Sequence, residues 1–430
     1  MSRRRFLRVG ALTAGGLSLS QWLRLQEAGA AAKNSNGKAV IQFYLEGGLT
    51  HHDSYDPKPE APAGIRGPFS TVQTAVPGLL FSELLPAQAR LADRLTALRG
   101  VHHGTADHAT GQHWMLTGYP GSSGRAVGRN DQPATGSVVS ALRGSNHPGL
   151  PAYTTLSNRK GGYEYRHGAY LGVAHSPFDI FADPNLPDYK IRNLSLSSQL
   201  NVERLTVRRE LAKRFDRLKS DVDQSGNAEA IDRFSQQAFD LITGQQAQRA
   251  FDISREPAQT RDVYGRNRVG QATLLARRLV EAGVSFVTMH DVGWDNHSKI
   301  GPAMRRKLPQ LDQAIAALIA DLELRGKLDD VFIMVIGEFG RTPRINTNAG
   351  RDHWGNVFSV LLAGGGLQHG GAYGASNVRG ETPINGAVRP GDILATMYQH
   401  LGLSPETTIP DFSGRPVYLL PEGQPIAALL

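Results

Sequence analysis

Four apolar runs constrain the fold of this chain more than any other feature: KAVIQFYL (38–45), VSFVTMH (284–290), VFIMVI (331–336) and VFSVLLAGGG (357–366). None shows the polar–apolar alternation of a strand with one wet face, so each reads as a strand covered on both sides. The segments between them carry a helical period instead. GQATLLARRLVEAG (270–283) ends at Gly283, a natural C-cap, and Leu308, Leu311, Ile315, Leu318, Ile319 and Leu322 mark one face of a second helix. Pro390 and Gly391 introduce a third, DILATMYQHLGL, and SELLPAQARLADRLTALRG (82–100) reads as a crossover helix closed by Gly100. Strands alternating with helices predict an α/β fold built on a doubly wound, mostly parallel sheet.

The chain has 430 residues with 40% hydrophobic content, enough for a large core. With no internal repeat, residues 38–428 read as one α/β domain. From about 185 to 260 the sequence turns polar and charged, with helical stretches such as VERLTVRRELAKRFDRL and no strand-like run, and is expected to be a helical insertion or cap.

The first residues, MSRRRFLRVGALTAGGLSLS, place Arg3, Arg4, Phe6 and Leu7 ahead of a short Gly- and Ala-rich apolar stretch. This is the pattern of a twin-arginine export signal over residues 1–32, removed near Ala30 or Ala32. It predicts a periplasmic or secreted protein with no stable membrane span after processing. The signal also carries half of the net charge of +8, because residues 1–30 hold five arginines and one glutamate. The basic residues that remain are scattered, which argues against nucleic acid as a partner. There is no cysteine, so thiolate chemistry and disulfides are excluded, and any metal must be bound by His and carboxylates.

Such residues gather in four loops that each follow an apolar segment: Asp53 and Asp56 in HHDSYDP, the His-rich stretch from His102 to His113, Asp295 and His297 in GWDNH, and Glu338 to His353 in GEFGRTPRINTNAGRDH. In parallel sheets, ligand sites form beyond the carboxyl ends of the strands. A mixed imidazole and carboxylate set suits Zn or Mn, whereas all-oxygen sites suit Ca or Mg. The expected metal ligands are Asp53, Asp295, His297, Glu338, Asp352 and His353. Arg341, beside them, is expected to clamp the oxygens of an anion. No P-loop, nucleophile elbow or H-E-x-x-H helix is present.

Taken together, YLEGGLTHHDSYDPKP, HWMLTGYP, GWDNH, GEFGRTPRIN, GRDHWGNVFSVLLAGGG and DILATMYQHLGL resemble the secreted family known as domain of unknown function 1501, from about 38 to 428. That family in turn resembles the alkaline phosphatase and sulfatase superfamily. The resemblance implies an alkaline-phosphatase-like fold, a two-metal site, and hydrolysis of phosphate or sulfate esters of small molecules or polysaccharides. On the superfamily pattern Asp53 matches the acidic ligand after the first strand and Glu338 the Asp of S-D-H-G, but Phe339 stands where His or Asn is expected. The superfamily's Cys or Ser nucleophile, counted back from Thr117, falls on His108. Thr110 is a hydroxyl nearby, and His113 lies on the same segment. Two routes follow: a loop nucleophile, or metal-activated water between two ions about 3.5–4 Å apart. The competing expectation is a non-catalytic periplasmic protein that binds metal or glycan in an envelope assembly.

Overall fold

The structure is a computed structural model and describes residues 37–121, 132–159, 166–191 and 244–430. The signal sequence expected over 1–32 lies outside these, as does most of the helical segment expected over 185–260. Of that segment, a helix at Gln245–Phe251 and a 3-10 turn at Ile253–Arg255 are described.

The core is an eight-stranded sheet. Its strands, numbered along the chain, are β1 (Ala39–Leu45), β2 (Leu95–Val101), β3 (Tyr153–Ser157), β4 (Phe178–Ile180), β5 (Phe286–Asp291), β6 (Val331–Ile336), β7 (Phe358–Gly364) and β8 (Gly371–Tyr373). They lie in the order β8-β2-β7-β6-β1-β5-β3-β4. β1 pairs parallel to both β5 and β6, β3 parallel to β5 and β4, and β8 parallel to β2. Only β7 runs against its neighbours. The sheet is therefore mostly parallel with central β1, as the apolar runs imply.

Successive residues of β1 serve opposite faces, as the two-residue period of a strand requires. Ile41, Phe43 and Leu45 join one buried cluster with Leu274, Leu275, Ile315 and Leu318. Val40 and Tyr44 join another with Val139, Ile393, Leu394 and Met397. The first face is covered by α3 (Arg268–Ala282) and α4 (Ile300–Leu324), the second by α2 (Thr135–Leu142) and α5 (Pro390–His400). α3 begins at Asn267, whose side chain accepts from the Gly270 amide, and ends at left-handed Gly283.

One element differs from its sequence reading. Residues 82–100 form only a short helix, Pro86–Arg90, and a 3-10 turn before the chain extends into β2. Leu95 and Ala97 face one cluster and Leu98 and Val101 the other, so both faces are apolar and the leucine spacing imitates a helical period. The following His-rich segment is correspondingly not all loop: it enters α1 (His108–Thr117), capped by Asp107 at one end and left-handed Gly118 at the other. Among the described residues no helix is long and apolar enough to cross a membrane.

Candidate metal centre

Because β7 is antiparallel to β6, the loop that leaves Ile336 returns to Phe358 at the same edge of the sheet. Residues 337–357 are thus held at the carboxyl ends of β6, β1 and β5, where the loops after Leu45 and Asp291 also emerge. Gly47 and Gly48 permit this crowding. Both have left-handed φ, +114° and +84°, and a Cβ on them would lie 2.1 Å from the Asp295 nitrogen and 2.4 Å from the Phe339 carbonyl oxygen. No other residue type fits between the two incoming loops.

Three imidazoles and one carboxylate meet there. Asp295 Oδ1 lies 3.1 Å from His353 Nε2 and 3.0 Å from His297 Nε2, and the two Nε2 atoms are 2.9 Å apart. His108 Nε2 lies 3.3 Å from the other carboxylate oxygen, Asp295 Oδ2. One ligand atom from each of His108, Asp295 and His353 falls within 4.8 Å of the others.

Each ring is fixed from behind. His297 Nδ1 donates to Asp352 Oδ1 at 2.7 Å, His353 Nδ1 to the Ala106 carbonyl at 2.8 Å, and His108 Nδ1 to Glu338 Oε1 at 2.7 Å. In His297 and His353, with the Nδ1 protons committed, the Nε2 atoms carry the lone pairs. Two such lone pairs 2.9 Å apart beside a carboxylate repel unless a cation lies among them. The donor set therefore fits a divalent metal, and the acceptors behind the rings are the outer partners that metal-binding histidines use.

The electrostatics agree. Burial acts to raise the Asp295 carboxyl, but the hydrogen bond and charge of Arg341 outweigh it and hold the group down to about 2. Burial, with Arg341 nearby, lowers His353 below the usual imidazole value and favours its neutral form. For His108, burial works downward, yet the bond to Glu338 and the charges of Glu338 and Asp295 prevail and raise it. The hydrogen bond from His297 lowers Asp352.

The remaining expected site residues are placed as follows. Glu338 is fully buried one layer back: besides His108, it accepts from the Gly47 amide at 2.8 Å and the Tyr44 hydroxyl at 3.0 Å. Arg341 is also fully buried, and its guanidinium donates to the carbonyls of Gly47, Gly48 and Arg351 and to Asp295. It braces the Asp295 loop against the Gly47–Gly48 turn, so its donors are engaged within the protein rather than turned toward an anion. Asp53 is outside the cluster. Its Oδ2 accepts from Thr50 and from Arg351 Nε, both at 2.8 Å, in an ion pair with neither side chain exposed. Thr110 donates to Asp107 within the cap of α1, and His113 Nδ1 faces the Tyr119 carbonyl at 2.9 Å. Neither reaches the cluster.

Two contributors, Tyr44 and Gly47, were not singled out from sequence, and a third, His103, fell within the His-rich stretch without a role of its own. Tyr44 and Gly47 hold Glu338, and His103 Nε2 donates to the Glu338 carbonyl at 2.6 Å. Tyr44 sits within an apolar strand and reads as core. Phe339, out of place in the superfamily pattern, stacks on His353 with ring centres 4.4 Å apart and forms an apolar wall. A cavity of about 650 Å³, bounded by Tyr189, Ile191, Phe251 and Arg261 among others, shares no residue with the cluster.

Fold and cluster together define an α/β protein with a His- and Asp-based candidate metal centre at the carboxyl edge of its sheet. The chain belongs to the family described as protein of unknown function (DUF1501), whose model matches residues 37–430. No curated protein matches it in sequence. Among solved structures, a sulfatase from a Pseudoalteromonas species is 14% identical, with a TM-score of 0.39 over 88% of this chain and 72% of that one. The lipoteichoic acid synthase of Listeria monocytogenes is 10% identical, with a TM-score of 0.42 over 86% and 73%. A phosphonate monoester hydrolase from Silicibacter pomeroyi is 11% identical, with a TM-score of 0.36 over 91% and 76%. None of these overlaps assigns a role to a residue of this chain.

Proposed function

We propose that the mature chain is an exported, metal-dependent hydrolase of phosphate or sulfate esters, reaching the periplasm or the cell exterior by the twin-arginine route and acting on anionic small molecules or polysaccharides. One observation carries the reading: His297, His353 and Asp295 turn their donor atoms on one point while other groups hold both imidazoles from behind.

A divalent ion held by these residues would supply Lewis acidity to an ester oxygen and lower the pKa of water. The chain's own groups provide the rest. Arg341 keeps Asp295 ionised and oriented. Asp352 and the Ala106 carbonyl fix the tautomers of His297 and His353. Phe339 excludes water from one side of His353.

His108, oriented by Glu338, is placed to hold a proton at Nε2. In hydrolysis, water oxygen bonds to phosphorus or sulfur, the ester bond breaks, and a proton passes to the departing alkoxide. His108 is the side chain situated to give it. Thr110 gives its hydroxyl to Asp107 within the cap of α1, which supports activated water rather than a loop hydroxyl as the nucleophile.

The test is a screen of the metal-loaded mature protein against aryl phosphates, phosphodiesters and aryl and carbohydrate sulfates. Turnover of one class, abolished in His353→Ala, is expected. Stoichiometric metal with no turnover of any ester would overturn the catalytic reading in favour of a binding protein.

A further inference from the structure

We propose that Ser157, His290 and Glu46 form a second catalytic unit, in which a serine nucleophile, its base and an orienting carboxylate take a small acyl group, such as acetyl, from an oxygen ester. The proposal uses none of the groups assigned to the metal centre and does not rest on that reading.

The sheet brings the three together. Parallel pairing sets His290 on β5 beside Tyr44 on β1 and Ser157 on β3, so these side chains form one row on one face. Four residues earlier, the corresponding row of Val40, Phe286 and Tyr153 is apolar core. At the carboxyl ends of the strands the row turns polar, and Glu46 follows directly on Leu45, the last residue of β1. Ligand sites of parallel sheets form at these ends. Because three separate strands supply the unit, no short sequence motif announces it.

His290 Nε2 lies 2.7 Å from Glu46 Oε2, and its Nδ1 lies 2.8 Å from Ser157 Oγ. An ionised carboxylate only accepts, so Nε2 carries the proton and Nδ1 keeps a lone pair turned on the hydroxyl. Hydroxyl, imidazole and carboxylate thus stand in the order that activates a serine, with the two ring nitrogens exchanged relative to the usual triad. Ser157 Oγ also faces the Arg159 carbonyl at 2.9 Å and accepts from the Arg159 amide at 3.2 Å. Turning its proton from that carbonyl to Nδ1 moves no heavy atom. Tyr44 stacks on His290 with ring centres 5.7 Å apart, and Arg159 Nη1 lies 3.5 Å from the other Glu46 oxygen.

Access sets the substrate class. Ser157 is 5% exposed, whereas Asn158 and Arg159 beside it are exposed. A hydroxyl set this far back is reached by an acetyl-sized group and not by a long acyl chain. In the reaction, Ser157 Oγ bonds to the acyl carbon and its proton passes to His290 Nδ1. The ester C–O bond then breaks, and the departing alkoxide takes that proton. Water gives a proton to Nδ1 as its oxygen attacks the acyl-serine, and the carboxylic acid leaves as Ser157 recovers the proton. Glu46 stays ionised throughout and acts by holding the ring.

The experiment treats the mature protein with methanesulfonyl fluoride, a reagent of acetyl size, maps the product by peptide mass spectrometry, and follows p-nitrophenyl acetate hydrolysis alongside. The expected result is one methanesulfonyl group, on Ser157, formed about 10²–10⁴-fold more slowly in His290→Gln. Ser157→Ala should abolish acetate turnover, and Glu46→Gln should lower kcat with KM little changed. A wild-type protein left unmodified at Ser157, or Ser157→Ala with undiminished turnover, would overturn the proposal. Equal turnover of p-nitrophenyl octanoate would overturn the restriction to small acyl groups. The wild-type labelling decides the question even if a variant fails to fold.

Discussion

Asp53→Ala separates the two roles this carboxylate could have. Among the described residues it is the only acidic partner of Arg351, and both side chains are fully buried. Removing it leaves a guanidinium in the interior, still donating to the carbonyls of Ile65, Thr342 and Pro343 but with its charge unbalanced. Breaking a buried pair from one side costs about 3–5 kcal/mol. With an unfolding entropy of roughly 2 cal/mol/K per residue, a folded unit of this size should lose about 4–6 °C in Tm. The assay is thermal unfolding of the mature protein paired with elemental analysis of bound metal. The expected outcome is a lower Tm with metal content unchanged. Combining Asp53→Leu with Arg351→Met should recover part of the loss, because no charge is then stranded, although the carbonyls lose their donor. Loss of metal with an unchanged Tm would refute the reasoning and make Asp53 a ligand.

Three further outcomes are expected. Arg341→Lys offers one point charge where a planar fork now joins three carbonyls and Asp295, so metal affinity should fall by about 10–100-fold in a chelator competition; an unchanged affinity would count against the bracing role. Thr110→Val should leave ester turnover in place, since its hydroxyl serves the cap of α1, and abolished turnover would restore it as nucleophile. Burial lowers His51 and His400 to about 4, so the unfolded chain binds more protons between that value and the ordinary value near 6.5. Stability contributed by these neutral rings is present above about 6.5 and is lost as pH falls toward 4, by up to about 3 kcal/mol each. Urea midpoints measured from pH 7 to pH 4 should drop accordingly, and a flat profile would contradict the burial of these two histidines.

How much of this was legible beforehand depended on whether the signal was local. β1, β5, β6 and β7 were readable because strands buried on both faces are continuous apolar runs with turn residues at their ends. β2 was not, since its residues 95–101 share the leucine spacing of the short helix before it. Asp295, His297 and His353 could be nominated because acid and imidazole recur together in GWDNH and GRDHW. Sequence cannot separate inner from outer positions, however. Glu338 and Asp352 have the same chemistry as Asp295, and only the fold places them behind His108 and His297. Arg341 and Arg351 were equally ambiguous. An arginine in a polar loop reads as a surface or anion-binding charge, and its engagement with carbonyls from distant loops appears only when those loops meet. Asp53 followed the position of a metal ligand after the first strand, but the chain leads that strand into a turn where Arg351 arrives instead.

The most direct measurement is an anomalous difference map from crystals of the mature protein grown with Mn²⁺, with data collected above and below the manganese edge. The expected result is one peak, bounded by the Asp295 carboxylate and the Nε2 atoms of His297 and His353. Crystals saturated with the ion that show no peak there, or show one at Asp53, would contradict the assignment of this cluster as a metal centre.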